Sequence, residues 1–129
     1  MNIVASIIKM SRPLNCLITF ITIIVACFIC GGDIAYIGEI ILGGIIGLLI
    51  TASGNIINDY YDIEEDKINR PDRVLSSERI SSATAFLVYF IFSISALLLS
   101  LVLGFSLFVI VAFTSLLLYL YSSKLKGIP

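Results

Sequence analysis

From Ile80 to Ser123 the chain runs for 44 residues without one charged side chain. As a single helix this stretch would extend about 66 Å at 1.5 Å per residue, twice the roughly 30 Å of hydrocarbon in a bilayer. It therefore has to fold back once. Gly104, in Leu103-Gly104-Phe105 near its middle, is the expected reversal, because glycine readily adopts turn conformations. Two shorter uncharged runs, Pro13 to Gly32 and Ile40 to Asn58, each match the roughly 20 residues of one crossing. The spacing predicts four helices, over about 13–32, 38–58, 83–103 and 105–122, and so an all-α, polytopic transmembrane bundle. The apolar runs are continuous instead of alternating, which excludes membrane-spanning strands. Composition agrees, with 59% hydrophobic and 13% charged residues against about 25% charged in an average soluble domain.

The first apolar run is too long for a signal-peptide core, and no small-x-small cleavage pattern follows it. It also holds all three cysteines, Cys16, Cys27 and Cys30. Cys27-Phe-Ile-Cys30 has CxxC spacing, but the chain contains no histidine and no second CxxC, so the thiols read as small packing residues of a helix. Gly43-x-x-x-Gly47 places two small residues on one helix face and permits close packing, expected within the chain, with a face between copies as the alternative.

The charge is concentrated elsewhere. Between Asp59 and Arg79 lie Asp59, Asp62, Glu64, Glu65, Asp66, Asp72 and Glu78 among the acids, with Lys67, Arg70, Arg73 and Arg79 among the bases. Four crossings put this loop, about 58–82, on the same side as both ends of the chain. Every lysine and arginine then falls on that side, and the other receives only Asp33 and Glu39. The positive-inside rule makes the charged side cytoplasmic, in a multi-pass protein of the cell membrane.

Asn55, Asp59, Asp62 and Asp66 are spaced four, three and four apart, which puts them on one face if the second helix continues past the hydrocarbon. Asn58 sits at the edge of that stripe. Stacked carboxylates repel, and a divalent cation would make them tolerable together. Hard oxygen donors favour Mg²⁺, whereas the spacing and the missing glycine do not suit a Ca²⁺ loop. Arg70 and Arg73 follow, with Pro71 ending helical continuity at the residue before it. Guanidinium forks suit phosphate oxygens. Carboxylates, arginines and an adjoining apolar bundle together suggest a diphosphate carried on a long hydrocarbon tail. The plainer alternative is a solvated loop whose charges only fix topology.

The stretch Asn58-Asp-Tyr-Tyr-Asp-Ile-Glu-Glu-Asp-Lys-Ile-Asn-Arg-Pro-Asp-Arg73 resembles the first aspartate-rich motif, NDxxDxxxDxxNRPxR, of the UbiA superfamily of intramembrane prenyltransferases. Arg12-Pro13 and Tyr121…Leu125-Lys126-Gly127 lie where that family has comparable elements. INRPDR and YSSKLKG are most similar to its archaeal ether-lipid branch. The resemblance implies a bundle of nine transmembrane helices with two aspartate-rich loops facing each other over Mg²⁺. It implies Mg²⁺-dependent transfer of a geranylgeranyl group from its diphosphate to geranylgeranylglyceryl phosphate. In role terms it implies Asn58, Asp59, Asp62 and Asp66 as metal ligands and Asp59, Asp62, Asp66 and Tyr121 as catalytic residues. Diphosphate contacts would come from Arg12, Asn15, Asn55, Asn58, Arg70, Arg73, Lys124 and Lys126. The second motif and five further helices are not in the 129 residues, so the chain is expected to be the N-terminal part of a longer enzyme. Its expected partners are a prenyl diphosphate, a lipid acceptor, membrane lipids and the other half of the enzyme, with no nucleic acid. An aromatic or quinone-precursor acceptor is the nearest alternative. A small transporter or cation-binding subunit is the alternative from another class, although a transporter would be expected to carry charge near mid-membrane.

Overall fold

The computed structural model describes residues 2–124. Six α-helices follow one another: α1 (Ile3–Ser11), α2 (Pro13–Ile29), α3 (Ile37–Tyr61), α4 (Ile63–Asn69), α5 (Ser82–Leu103) and α6 (Phe105–Ser123), with a 3₁₀ turn at Ile34–Tyr36. No strand occurs among the described residues. The turn and α3 together, α5, and α6 are each long and apolar enough to cross a membrane. Helices α1 and α2 make a fourth candidate only as a pair, bent by 54°.

The bend was not expected from the sequence, and neither was α1. Asn2 starts α1 by accepting the Ala5 N–H on its side-chain oxygen at 2.8 Å, which satisfies one of the amides a helix start leaves over. The helix buries Ser6 and Met10 and turns Ile3, Val4 and Ile8 outward. Arg12 then takes a left-handed conformation, φ 56° and ψ 73°, and closes α1 with its N–H on the Lys9 carbonyl. Pro13 opens α2 at the position where proline's missing N–H costs nothing. Helix α2 stops at Ile29, three residues short of the boundary expected from charge alone. Gly31, at φ 90°, supplies the left-handed link that ends it.

The central element is α3, which packs against α1, α2, α5 and α6. Its glycines receive α2. A Cβ on Gly44 would stand 2.7 Å from the Phe20 ring, and one on Gly47 would collide with Ile23. The small-residue face therefore serves packing within the chain. Gly54 plays the same part against Leu118 of α6. Gly104, at φ 131°, is the single residue between α5 and α6, at the expected reversal.

The segment expected to be a loop over 58–82 is largely folded. Helix α3 runs on to Tyr61, α4 follows after Asp62, and the turns after it bury Val74, Leu75 and Ile80. These three join Met10, Ile56, Ile57, Ala85, Val88 and Tyr89 in one cluster at the charged end of the bundle. Removing these apolar side chains from water anchors the charged segment to the end of the bundle. A second cluster of Ile46, Ile50, Ala96 and Val111 lies farther along α3.

Candidate active site

The site grows from a helical register that barely breaks. Asp62 donates its backbone N–H to the Asn58 carbonyl at 3.1 Å, Asp66 to Asp62 at 2.8 Å and Arg70 to Asp66 at 2.8 Å. The spacing of Asn58, Asp62 and Asp66 thus remains one helical turn each, from the end of α3 into α4. Pro71 follows Arg70, whose φ of −146° and ψ of 63° end the helix. A turn then brings Arg73 back over the acidic face. Ser77 holds that turn, its hydroxyl donating to the Arg73 carbonyl at 2.6 Å.

Two guanidiniums converge on this face. Arg12 Nη2 donates to Asp59 Oδ1 at 2.7 Å. Arg73 Nη1 reaches the same oxygen at 3.2 Å and Asp66 Oδ2 at 2.7 Å. Both carboxylates are buried. Buried carboxylates are costly unless paired and hydrogen-bonded, and a buried pair repays that cost only with good geometry. Here the repulsion within the acidic stripe is relieved by arginine: one side chain bridges Asp59 and Asp66 while another shares Asp59. Asn58 donates its side-chain amide to Asp62 Oδ2 at 3.0 Å. Lys67 pairs with Glu64 at 2.8 Å on the solvated side of α4, and that hydrogen bond raises its pKa.

Arg12, Asn58, Asp62, Glu65, Asp66, Asn69, Arg70 and Arg73 together line a cavity of ≈ 410 Å³. A second cavity of ≈ 460 Å³ adjoins it and shares Arg12 and Asn58. Its other walls include Asn55, Thr51, Thr114 and Tyr121 from α3 and α6. Of the sequence-derived residues, Arg12, Asn58, Asp62, Asp66, Arg70 and Arg73 line the first cavity and Arg12, Asn55, Asn58 and Tyr121 the second, while Asp59 lines neither and is the anion shared by Arg12 and Arg73. Asn15 is exposed on the first turn of α2 and Lys124 is exposed beyond α6, and neither lines either cavity. Lys126 lies outside the described residues. Glu65 and Asn69 were not singled out from sequence as site residues. Their signal was present, since Asp62, Glu65, Asp66 and Asn69 share one helical face.

The chain is not a solitary design. The profile of the UbiA prenyltransferase family matches residues 19–129. The chain belongs to the UbiA prenyltransferase family. Among curated UbiA relatives, a digeranylgeranylglyceryl phosphate synthase of Korarchaeum cryptofilum is 39% identical over 124 residues. That match takes in 95% of this chain and 43% of the relative. One of Methanopyrus kandleri is 34% identical, over 95% of this chain and 44% of its own length. A solved structure from work on digeranylgeranylglyceryl phosphate synthase in membranes superposes with a TM-score of 0.88 at 32% identity, covering 95% of this chain and 44% of that one. The chain thus spans less than half the length of the UbiA relatives it matches. This is an integral membrane protein with the helical architecture of that family.

Among the described residues no three carboxylates or thiols converge closely enough to cage an ion. The donor set still suits one kind of metal. Asp62, Glu65 and Asp66 present only hard oxygens to one cavity, and Mg²⁺ usually takes one or two protein carboxylates and completes its shell with water and phosphate.

Proposed function

We propose that the chain supplies the diphosphate-handling half of an enzyme that transfers a prenyl group from an allylic diphosphate to a lipid hydroxyl. The observation that carries this reading is the pair of adjoining cavities, one walled by carboxylates and guanidiniums, the other reaching between apolar helices, with Arg12 and Asn58 in both. A molecule with an anionic head and a hydrocarbon tail matches that division. The names of the relatives favour geranylgeranyl diphosphate as donor and geranylgeranylglyceryl phosphate as acceptor, with an ether lipid and diphosphate as products.

In this reading Arg12, Arg70 and Arg73 hold the diphosphate and stabilise the charge that grows on it as the C–O bond breaks. Asp62 and Asp66, with Asn58 orienting Asp62, are the residues that would hold Mg²⁺. The ion supplies further neutralisation of the leaving group. Asp59 keeps the arginines in place. Tyr121, half-exposed on α6 and on the wall of the second cavity, is placed to offer its ring face to an allylic cation. Lys124 and Asn15, exposed and lining neither cavity, take no part in this reading. The remaining length of the relatives is expected to complete the site. The charge asymmetry orients the platform toward the cytoplasm of the cell membrane.

The test offers radiolabelled geranylgeranyl diphosphate to membranes containing the full-length protein, with geranylgeranylglyceryl phosphate or 4-hydroxybenzoate, with and without Mg²⁺. A Mg²⁺-dependent ether lipid is the expected product. Label only in the aromatic product overturns the acceptor, and transfer to neither overturns the reading.

A further inference from the structure

The left-handed break at Arg12 is gripped by a residue far from it in sequence. A side chain at φ 56° crowds its own carbonyl, so residues other than glycine rarely stay there, and persist only where their surroundings over-determine them. The end of α1 leaves carbonyls without intrahelical donors. One of them, Ser11 O, accepts from Asn55 Nδ2 of α3 at 2.9 Å and from the Cys16 thiol of α2 at 3.1 Å. The Arg12 carbonyl receives the Cys16 N–H at 3.2 Å. One turn beyond Asn55, Asp59 receives the Arg12 guanidinium at 2.7 Å. Residues four apart on a helix share a face. A single stripe of α3 therefore holds both the backbone before the break and the side chain at it.

We propose that Asn55 is a positioning residue: by clamping the Ser11 carbonyl it fixes the break between α1 and α2 and so aims the Arg12 guanidinium at Asp59 and the two cavities. Its amide is directed at the protein backbone, which replaces the diphosphate contact expected for it from sequence. Cys16, 4% exposed, closes the clamp from the other side. The substrate part of this inference rests on the prenyl-diphosphate reading above, whereas the clamp itself does not.

The test is a double-mutant cycle of Asn55→Leu and Arg12→Gln in the full-length protein, with Asn55→Ser as a milder second probe. Each single variant is expected to raise KM for the prenyl diphosphate about tenfold, the scale on which small misplacements of a binding group act, and the double no further. Asn55→Leu and Arg12→Gln are expected to lower kcat as well, and by the same factor, because each takes the Arg12 guanidinium from the charge that grows on the leaving group, a match that general loosening would not produce. The same cycle is read by thermal unfolding in detergent, where the two losses are expected to overlap instead of adding. Multiplying KM effects overturn the positioning role. Additive unfolding losses overturn the clamp, and do so even if the protein transfers no prenyl group, an outcome that would overturn the proposed function separately.

Discussion

Asp59→Asn keeps the size and shape of the side chain at the centre of the charged network and removes its charge. Its Oδ1 receives Arg12 at 2.7 Å and Arg73 at 3.2 Å. Hydrogen bonds to charged groups contribute about 1.5–3 kcal/mol and neutral ones about 0.5–1.5 kcal/mol, so about 1 kcal/mol is lost per bond that becomes less charge-assisted. The Arg12 side chain is 36% exposed and that of Arg73 21%, so water screens the first more and its share falls to about half. The sum is about 1.5 kcal/mol. At the length of the relatives, more than twice that of this chain, this corresponds to a fall of roughly 3–6 °C in unfolding midpoint. Asp59→Ala removes the acceptor as well and strands the Arg12 guanidinium, while Arg73 keeps Asp66, which is expected to cost about 2 kcal/mol. The assay is thermal unfolding of purified full-length protein in one detergent, with Arg73→Gln and the Asp59→Asn/Arg73→Gln double alongside. An unchanged midpoint for Asp59→Asn, or a double equal to the sum of its singles, would refute the network as the element that holds the platform.

Asp62→Ala and Asp66→Ala are expected to lower prenyl transfer by about 100-fold or more while leaving membrane insertion intact; unchanged transfer in both sinks the site assignment. Gly44→Leu forces the Phe20 ring aside and is expected to destabilise by about 1–3 kcal/mol, read as a lowered unfolding midpoint with transfer chemistry retained below it. Gly104→Ala places a Cβ at φ 131° and is expected to cost about 1–3 kcal/mol in the same measurement, although space around it is open. Chelation of Mg²⁺ is expected to stop transfer and its return to restore it, with Ca²⁺ a poor substitute; transfer that persists in chelator removes Asp62 and Asp66 from metal binding.

Three of the four expected spans were legible because their cause is local, uncharged runs of crossing length and one glycine at the midpoint of the longest, whereas the first crosses only as the bent pair of α1 and α2. The acidic face was legible in part: Asp62 and Asp66 keep the helical spacing read from sequence, with Asn58 one turn before them, whereas Asn55 and Asp59 of the expected stripe turn to the Ser11 carbonyl and the arginines. Helix α1 escaped notice because its nine residues are too short for a span and Lys9 and Arg12 read as boundary charges. Helix α4 and the turns after it looked like a solvated loop because their apolar residues, Val74, Leu75 and Ile80, show no period. Only the tertiary cluster reveals why they are there. Arginine pairing was the deeper omission. Arg12 and Asp59 are 47 positions apart, and the sequence signal for phosphate binding is the same as the signal for holding a carboxylate. Asn55 was ambiguous in the same way, as an amide near a membrane boundary serves a substrate or a backbone carbonyl equally well.

The one-residue link at Gly104 bears on how the protein enters the bilayer in the first place. With no charged side chain anywhere from Ile80 to Ser123, the tip of the α5–α6 hairpin carries nothing that resists being pushed through the hydrocarbon. A lysine or aspartate there would add about 2.5–3.5 kcal/mol at mid-passage. The two helices can enter the bilayer as one closed unit, packed on each other, with both wet ends on one side. Where α3 needs α2 to cover its glycines and Arg73 to meet its acidic stripe, the Gly104 link lets α5 and α6 form a pair by themselves.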